Sequence, residues 1–247
     1  MATRVRLGML TPSSNTVLEP VASAMVAGVA GVTVHFGRFP VTEISLRPRA
    51  LGQFDDAPMR AAARLLADAR VDAICWNGTS AGWLGLDADR RLCGAIADDV
   101  GVPVVSSVLA LVEAFRLAGV RRYGLVTPYL EEIQSRILAT FALEGLECAA
   151  ERHLGDPGNY SFALVEPSTL AELTRAVATA RPEAITTFCT NLWAAPLVAG
   201  LEAELGVPVY DTVATGIWAA LRATGVETAR VKGWGRLFTD PATATGG

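Results

Sequence analysis

Four cysteines and two histidines are the scarce reactive side chains of this 247-residue chain. Cys189 stands where chemistry is easiest to arrange, after an apolar strand-like run and before Thr190-Asn191. Backbone N–H groups opening the next loop and helix would favour an anion there and lower the thiol pKa. A lone cysteine is more often buried and inert, so its neighbours must carry the reading. A second polar cluster, Asn77-Gly78-Thr79-Ser80, follows the apolar run Ile74-Cys75-Trp76. The hydroxyls of Thr79 and Ser80, with the N–H groups around them, suit a carboxylate or an enediolate. Pro12-Ser13-Ser14-Asn15-Thr16 reads as a carboxylate-binding turn leading into a helix, with Ser14 and Asn15 as donors; Ser and Asn are also ordinary helix N-caps. Its counterpart is Thr127-Pro128-Tyr129, where Tyr129 would offer its phenol.

The other reactive residues read differently. Cys75 points away from its cluster by strand alternation, and Cys93 and Cys148 are expected to pack in element interiors. His153 reads as a surface histidine ahead of Gly155-Asp-Pro-Gly-Asn159, a flexible stretch that could cover a cleft. Trp76, Trp83 and Trp193 flank the two clusters as apolar walls or as core. No C-x-x-C spacing occurs, which argues against a zinc cluster or a disulfide framework and fits a reducing cytoplasm. The chain has no G-x-G-x-x-G after a strand, no Walker loop and no H-E-x-x-H, so neither metal nor nucleotide cofactor is expected. With 21 basic and 25 acidic residues, a net charge of −4 and no basic patch, nucleic acid is not an expected partner. No apolar stretch approaches the ~20 residues of a membrane span, and Met1-Ala2-Thr3-Arg4 opens no secretory leader.

These residues need elements to position them. Strands are expected at Val5–Leu10, Val32–Gly37, Ala73–Asn77, Val102–Ser106, Tyr123–Thr127, Leu146–Arg152, Ala184–Cys189 and Val207–Asp211. Helical patterns lie between them at Ala57–Ala69, Asp87–Val100, Leu130–Glu144, Pro167–Ala180 and Ala195–Leu205. The alternation implies an α/β fold of parallel sheets flanked by helices. An internal repeat sharpens this. Gly8-Met-Leu-Thr-Pro12 recurs 116 residues on as Gly124-Leu-Val-Thr-Pro128, and Gly101-Val-Pro-Val104 recurs 105 residues on as Gly206-Val-Pro-Val209. The polar clusters match with Gly78 opposite Cys189, 111 residues apart. Two pseudo-symmetric lobes are therefore expected: residues 1–110, with 215–247 packing back on them, and residues 111–214. Ligands bind beyond the carboxyl ends of such strands, which places the site in the cleft between the lobes.

On these motifs, together with the closing Gly233-Trp-Gly-Arg-Leu237, the chain resembles the aspartate/glutamate racemase superfamily, in the branch holding arylmalonate decarboxylase and maleate cis-trans isomerase. The resemblance spans nearly the whole chain. It implies two similar α/β lobes, no cofactor and a small carboxylate substrate; a homo-oligomer is possible. Racemases of that superfamily use one cysteine from each lobe, and maleate isomerases keep both. Here the first position is Gly78, as in arylmalonate decarboxylase. The resemblance thus makes Cys189 the donor that protonates an enediolate after carbon dioxide leaves. Thr79, Ser80, Tyr129 and the backbone at Cys189 and Thr190 would cradle the enediolate. The turn Ser13–Thr16 is closer to the maleate isomerases, where Asn15 would bind a substrate carboxylate and Asn159 would match a further substrate-binding asparagine. The expected activity is decarboxylation of a disubstituted malonate or related dicarboxylic acid. An isomerase or racemase of the same superfamily, or a two-lobed protein that only binds small acids, stands as the alternative.

Overall fold

The strand-rich half of the expectation rests on short runs of Val, Ile and Leu, and these become the two sheets. The computed structural model describes residues 4–47, 52 and 56–244. Strands β1 (Val5–Pro12), β2 (Val32–Phe39), β3 (Ala73–Trp76) and β4 (Val104–Ser106) form one parallel sheet in the order β2-β1-β3-β4. Strands β5 (Arg122–Thr127), β6 (Glu147–His153), β7 (Ala184–Thr187) and β8 (Val209–Asp211) repeat that order in a second sheet, β6-β5-β7-β8. The central strands β3 and β7 are buried at every position, as sheets covered on both faces require.

All eight expected strands are present, their ends displaced by no more than two residues. The repeated glycines explain one part of the motif. Gly8 and Gly124 sit in register with Ile74 and Ile185. A Cβ at either would press on its neighbour, at 3.1 Å from Ile74 and 3.2 Å from Ile185. The stretch 195–205 is not one helix. It opens as a 3₁₀ turn at Ala195–Leu197, where Pro196 lies, and continues as a helix over Val198–Leu205.

Helices cross between the sheets. The helix α1 (Leu18–Val26) follows the first turn, and α2 (Asp56–Asp68), α3 (Ala81–Leu84), α4 (Leu86–Val100) and α5 (Ser107–Leu117) complete the first half. Although α5 follows β4, its Phe115 ring lies 5.8 Å from Tyr123 and 5.7 Å from Tyr210, both in the second sheet. The second half holds α6 (Glu131–Leu143), α7 (Pro167–Ala178), α8 (Val198–Leu205) and α9 (Thr212–Ala223). The last of these returns to pack on β3, β4, α1 and α5. Where α9 meets α5, Gly216 has no room for a side chain: a Cβ would lie 2.7 Å from Asn77 Oδ1 and 2.8 Å from Ser107 Oγ. One hydrophobic cluster runs through both sheets as a result. Among the described residues no helix is long and apolar enough to cross a membrane.

Candidate active site

Four strands of the two sheets, β1, β3, β5 and β7, end at a common junction, and each is followed by one of the polar turns. They enclose a cavity of about 20 Å³, little more than the room one water needs. Gly78, Thr79, Ser80, Tyr129, Asn159, Cys189 and Thr190 line it on the polar side. Pro12, Val41, Ile44, Trp76 and Trp83 supply apolar walls. The described residues that line it carry no charge. A larger hollow of about 690 Å³ lies outside, between the segment 42–47 and residues Leu130, Glu132, Pro157 and Gly158. Loop residues and Glu132 of α6 wall it, and none of the cysteines, nor Tyr129 or Thr79, lines it, so the smaller cavity, where those groups meet, is the candidate site.

Cys189 is buried, and its sulfur accepts the Asn191 N–H at 3.4 Å. Burial pushes the thiol pKa up to about 12, although hydrogen bonding from Tyr129 and the Asn191 N–H offsets part of the rise. The expectation of a lowered pKa is corrected here. Cys189 is followed by a turn, and the next α-helix begins only at Val198, so no helix N-terminus reaches the sulfur to outweigh desolvation. The group is a thiol at neutral pH. It holds a proton to give.

Tyr129 lies across the cavity lining with its hydroxyl 2.5 Å from Thr79 Oγ1. Burial and the neighbouring Cys189 hold its pKa well above the ordinary value, so it too stays protonated. Edge contacts from Trp83 at 5.3 Å and Phe162 at 5.5 Å fix the ring. Ser80 occupies the residue before α3, and its carbonyl accepts the Trp83 and Leu84 N–H groups.

Three of the sequence-selected residues stand behind the lining. Asn15 accepts the Val17 and Leu18 N–H groups, each at 2.9 Å, as a cap on α1. Its amide donates to Thr190, to the carbonyl at 3.1 Å and to Oγ1 at 3.2 Å. Asn191 reciprocates, accepting from Thr16 N at 3.0 Å and donating to the Asn159 carbonyl at 2.5 Å. Ser14 donates to the Val41 carbonyl at 2.7 Å and accepts from the Asn159 amide at 2.8 Å. These side chains bolt the first turn to the second lobe.

The residues 11–238 match the family model described as arylmalonate decarboxylase. The chain belongs to the arylmalonate decarboxylase family. It is 30% identical over 181 residues to arylmalonate decarboxylase of Bordetella bronchiseptica, covering 72% of this chain and 75% of the relative. It is also 29% identical over 234 residues to maleate isomerase of Pseudomonas putida, covering 90% and 92%. Among solved structures, maleate cis-trans isomerase of Nocardia farcinica bound to TRIS superposes with a TM-score of 0.87, at 26% identity and 95% and 97% coverage. A crystal structure of arylmalonate decarboxylase gives 0.75, at 26% identity and 94% and 98% coverage. The two four-stranded parallel sheets are those of this family.

Within this member, the sequence reading did not find several groups around the site, nor the partners of others that it had named. Val41 and Ile44 wall it from the loop after β2, and their only signal was apolar side chains in an irregular segment. Trp76 donates from Nε1 to the buried Asp89 at 3.1 Å, a pairing across 13 residues with no local motif. In the other lobe Thr187 donates to buried Asp211 at 2.8 Å, and Asp211 caps α9 through the Val213 N–H. Desolvation raises both carboxyls to about 6. His153 ends β6 rather than following it, mostly buried, with Nδ1 2.9 Å from Glu151 and Nε2 3.2 Å from Glu131. Trp193 packs against the core, outside the cavity lining.

Proposed function

We propose that this protein is a cofactor-independent carboxy-lyase that decarboxylates a disubstituted malonate or related small dicarboxylic acid. The observation that carries the reading is the pairing of one protonated thiol, Cys189, with Gly78 at the matching point of the first lobe. Decarboxylation needs a place where negative charge can develop on the retained carboxylate, and then one proton. The Thr79–Tyr129 pair, whose hydroxyls bond each other, leaves one O–H to donate to that charge, with the Ser80 hydroxyl and the N–H groups of Ser80 and Thr190 beside it. The departing carboxylate is favoured to lose its charge against Trp76, Trp83, Val41 and Ile44, where water is excluded. The carbon–carboxyl bond breaks, its electron pair enters the enediolate, and the Sγ proton of Cys189 forms the new C–H bond. Solvent then returns a proton to the thiolate. Four unpaired cysteines fit the reducing cytoplasm as its place of work.

A second reading, maleate isomerase, is favoured by the relatives that carry that name and by the Ser13–Thr16 turn. One Nocardia farcinica maleate isomerase structure, a cysteine-to-serine variant, carries a covalently bound succinylcysteine intermediate, so that enzyme keeps another cysteine to hold the adduct. This chain has Gly78 where its lobes' symmetry would place a second one. The test is direct. In D₂O without added cofactor, an aryl(methyl)malonate should release carbon dioxide and give a product with one deuterium at the α-carbon. Conversion of maleate to fumarate without gas release, and no turnover of the malonate, would replace the decarboxylase by the isomerase.

A further inference from the structure

Trp76 and Gly78 stand in the first lobe where Thr187 and Cys189 stand in the second. The ladders fix this correspondence: Gly8 pairs with Ile74 as Gly124 pairs with Ile185. Two residues on, Trp76 pairs with Ser106 as Thr187 pairs with Asp211. Side-chain bulk is exchanged within the matched pairs. The second lobe has a small hydroxyl at 187 and a thiol at 189. The first has an indole at 76 and no side chain at 78. A Cβ built on Gly78 would lie 2.9 Å from Trp76 Cε2, with Cζ2 and Cη2 closer still. The obstacle is a rigid ring, not the end of a flexible chain. The ring is also held in place, by the hydrogen bond to Asp89, by Phe39 at 5.3 Å between ring centroids, and by complete burial.

We propose that Trp76, tethered by Asp89, is the residue that makes the site one-handed. Its indole fills the volume that an acid–base group at position 78 would need, so a reacting carbon meets a proton donor only from the Cys189 side. Asp89 is a positioning residue that acts through Trp76. The inference rests on Cys189 as the proton donor, and it adds the reason why protonation is not reversed or repeated on the opposite face. It also makes the glycine a consequence of the tryptophan: restoring a thiol there requires removing the indole first.

The experiment compares G78C, W76T, which copies Thr187, and the double variant W76T/G78C with the parent. Thermal melting and deuterium exchange into each enantiomer of 2-phenylpropanoate in D₂O are the two readouts. G78C should melt well below the parent and exchange no faster. W76T/G78C should recover melting temperature over G78C and exchange both enantiomers on the order of 10²-fold faster than the parent, the lower end of what a positioned acid–base group contributes. For the tether, D89L should lower the enantiomeric purity of the decarboxylation product, and D89N, which keeps an acceptor for the indole N–H, should restore it. The proposal is overturned if G78C is as stable as the parent, if it exchanges as fast as the double variant, or if adding W76T to G78C improves neither readout. The decarboxylase reading fails separately, when the parent releases no carbon dioxide from the malonate; the melting comparison still decides whether Trp76 closes position 78.

Discussion

The hydroxyl of Tyr129 lies 2.5 Å from Oγ1 of Thr79, joining the two lobes beside the cavity that Cys189 and Gly78 both line. Neither group has a charge to lose, because Tyr129 is buried and its phenol is held well above its usual pKa. The pair can thus turn its remaining hydroxyl dipole toward an oxyanion without first giving up a proton to water. Tyr129→Phe should lower kcat for decarboxylation by about 10²–10³-fold, the usual effect of removing one such donor. It should also cost about 1–3 kcal/mol in thermal or chemical denaturation, since the Thr79 hydroxyl loses its buried partner. An unchanged rate in steady-state assays would take the phenol out of the mechanism.

A thiol that titrates at about 12 makes a distinctive pH profile. A proton donor must be loaded, and Cys189 stays loaded at every pH at which the protein is ordinarily handled. The rate assigned to its step should therefore be flat from about pH 7 to pH 9, where an unperturbed cysteine, near 8.5, would already be losing its proton. Alkylation of Cys189 by iodoacetamide should be correspondingly slow across that range. A rate that climbs with pH in this window would instead point to a thiolate nucleophile.

Substitution separates Cys189 from the other buried thiols. Cys189→Ser should reduce turnover by about 10²–10⁴-fold, the contribution typical of one positioned acid–base group. Cys75→Ser should leave it largely intact. Cys75 faces α9 rather than the cavity, with its sulfur 3.0 Å from where a Cβ on Gly216 would stand. Single-turnover assays on the two variants decide the matter, and the reverse pattern would move the site to the wrong side of β3.

Asp211 supplies a stability prediction. Its carboxyl is buried beneath Thr187 and titrates at about 6 in the fold, against 3.8 when unperturbed. The folded state holds this proton more tightly than the unfolded chain, so stability falls as pH rises from about 4 to 6. The full cost, on the order of 3 kcal/mol, is present above that window and fades below it. Asp211→Asn keeps an acceptor for the Val213 N–H while removing the charge. Urea denaturation at pH 4 and pH 7 should show the variant gaining on the parent at the higher pH, and an equal difference at both would mean that Asp211 is not the titrating group.

How much of this was legible in the sequence depends on the range of the interaction. Alternating short apolar runs gave the sheets because strand burial shows in consecutive residues, and the Gly8/Gly124 repeat gave the two halves because a repeated string is visible without knowing what each glycine meets across the sheet. The polar clusters were visible because they sit directly after strands. The protonation state of Cys189 was not, since it depends on how deeply the finished fold buries the sulfur. Trp76 was placed near the cluster but left between wall and core. Only the tether from Asp89 on α4 and the absent Cβ at Gly78 show what its indole excludes. His153 gave no sign of Glu131, because Glu131 lies on α6 and meets it only in three dimensions.

The last prediction concerns Asn15, which the resemblance assigns to a substrate carboxylate and the geometry places behind Thr190. All four hydrogen bonds made by its side chain are internal, two to the N–H groups that start α1 and two to Thr190. At the net worth of ordinary hydrogen bonds, Asn15→Ala should cost about 2–4 kcal/mol in the ligand-free protein. Activity should fall with it, because Thr190 lines the cavity and is held from behind by this amide. Asn15→Asp keeps the two N–H acceptors but turns an oxygen toward the Thr190 carbonyl, so it should recover the capping of α1 and not the bridge. Its melting temperature should fall between those of the parent and Asn15→Ala. Melting curves and KM measured together distinguish the roles: an Asn15→Ala protein as stable as the parent, with a raised KM alone, would return Asn15 to the substrate and remove it from the junction between the lobes.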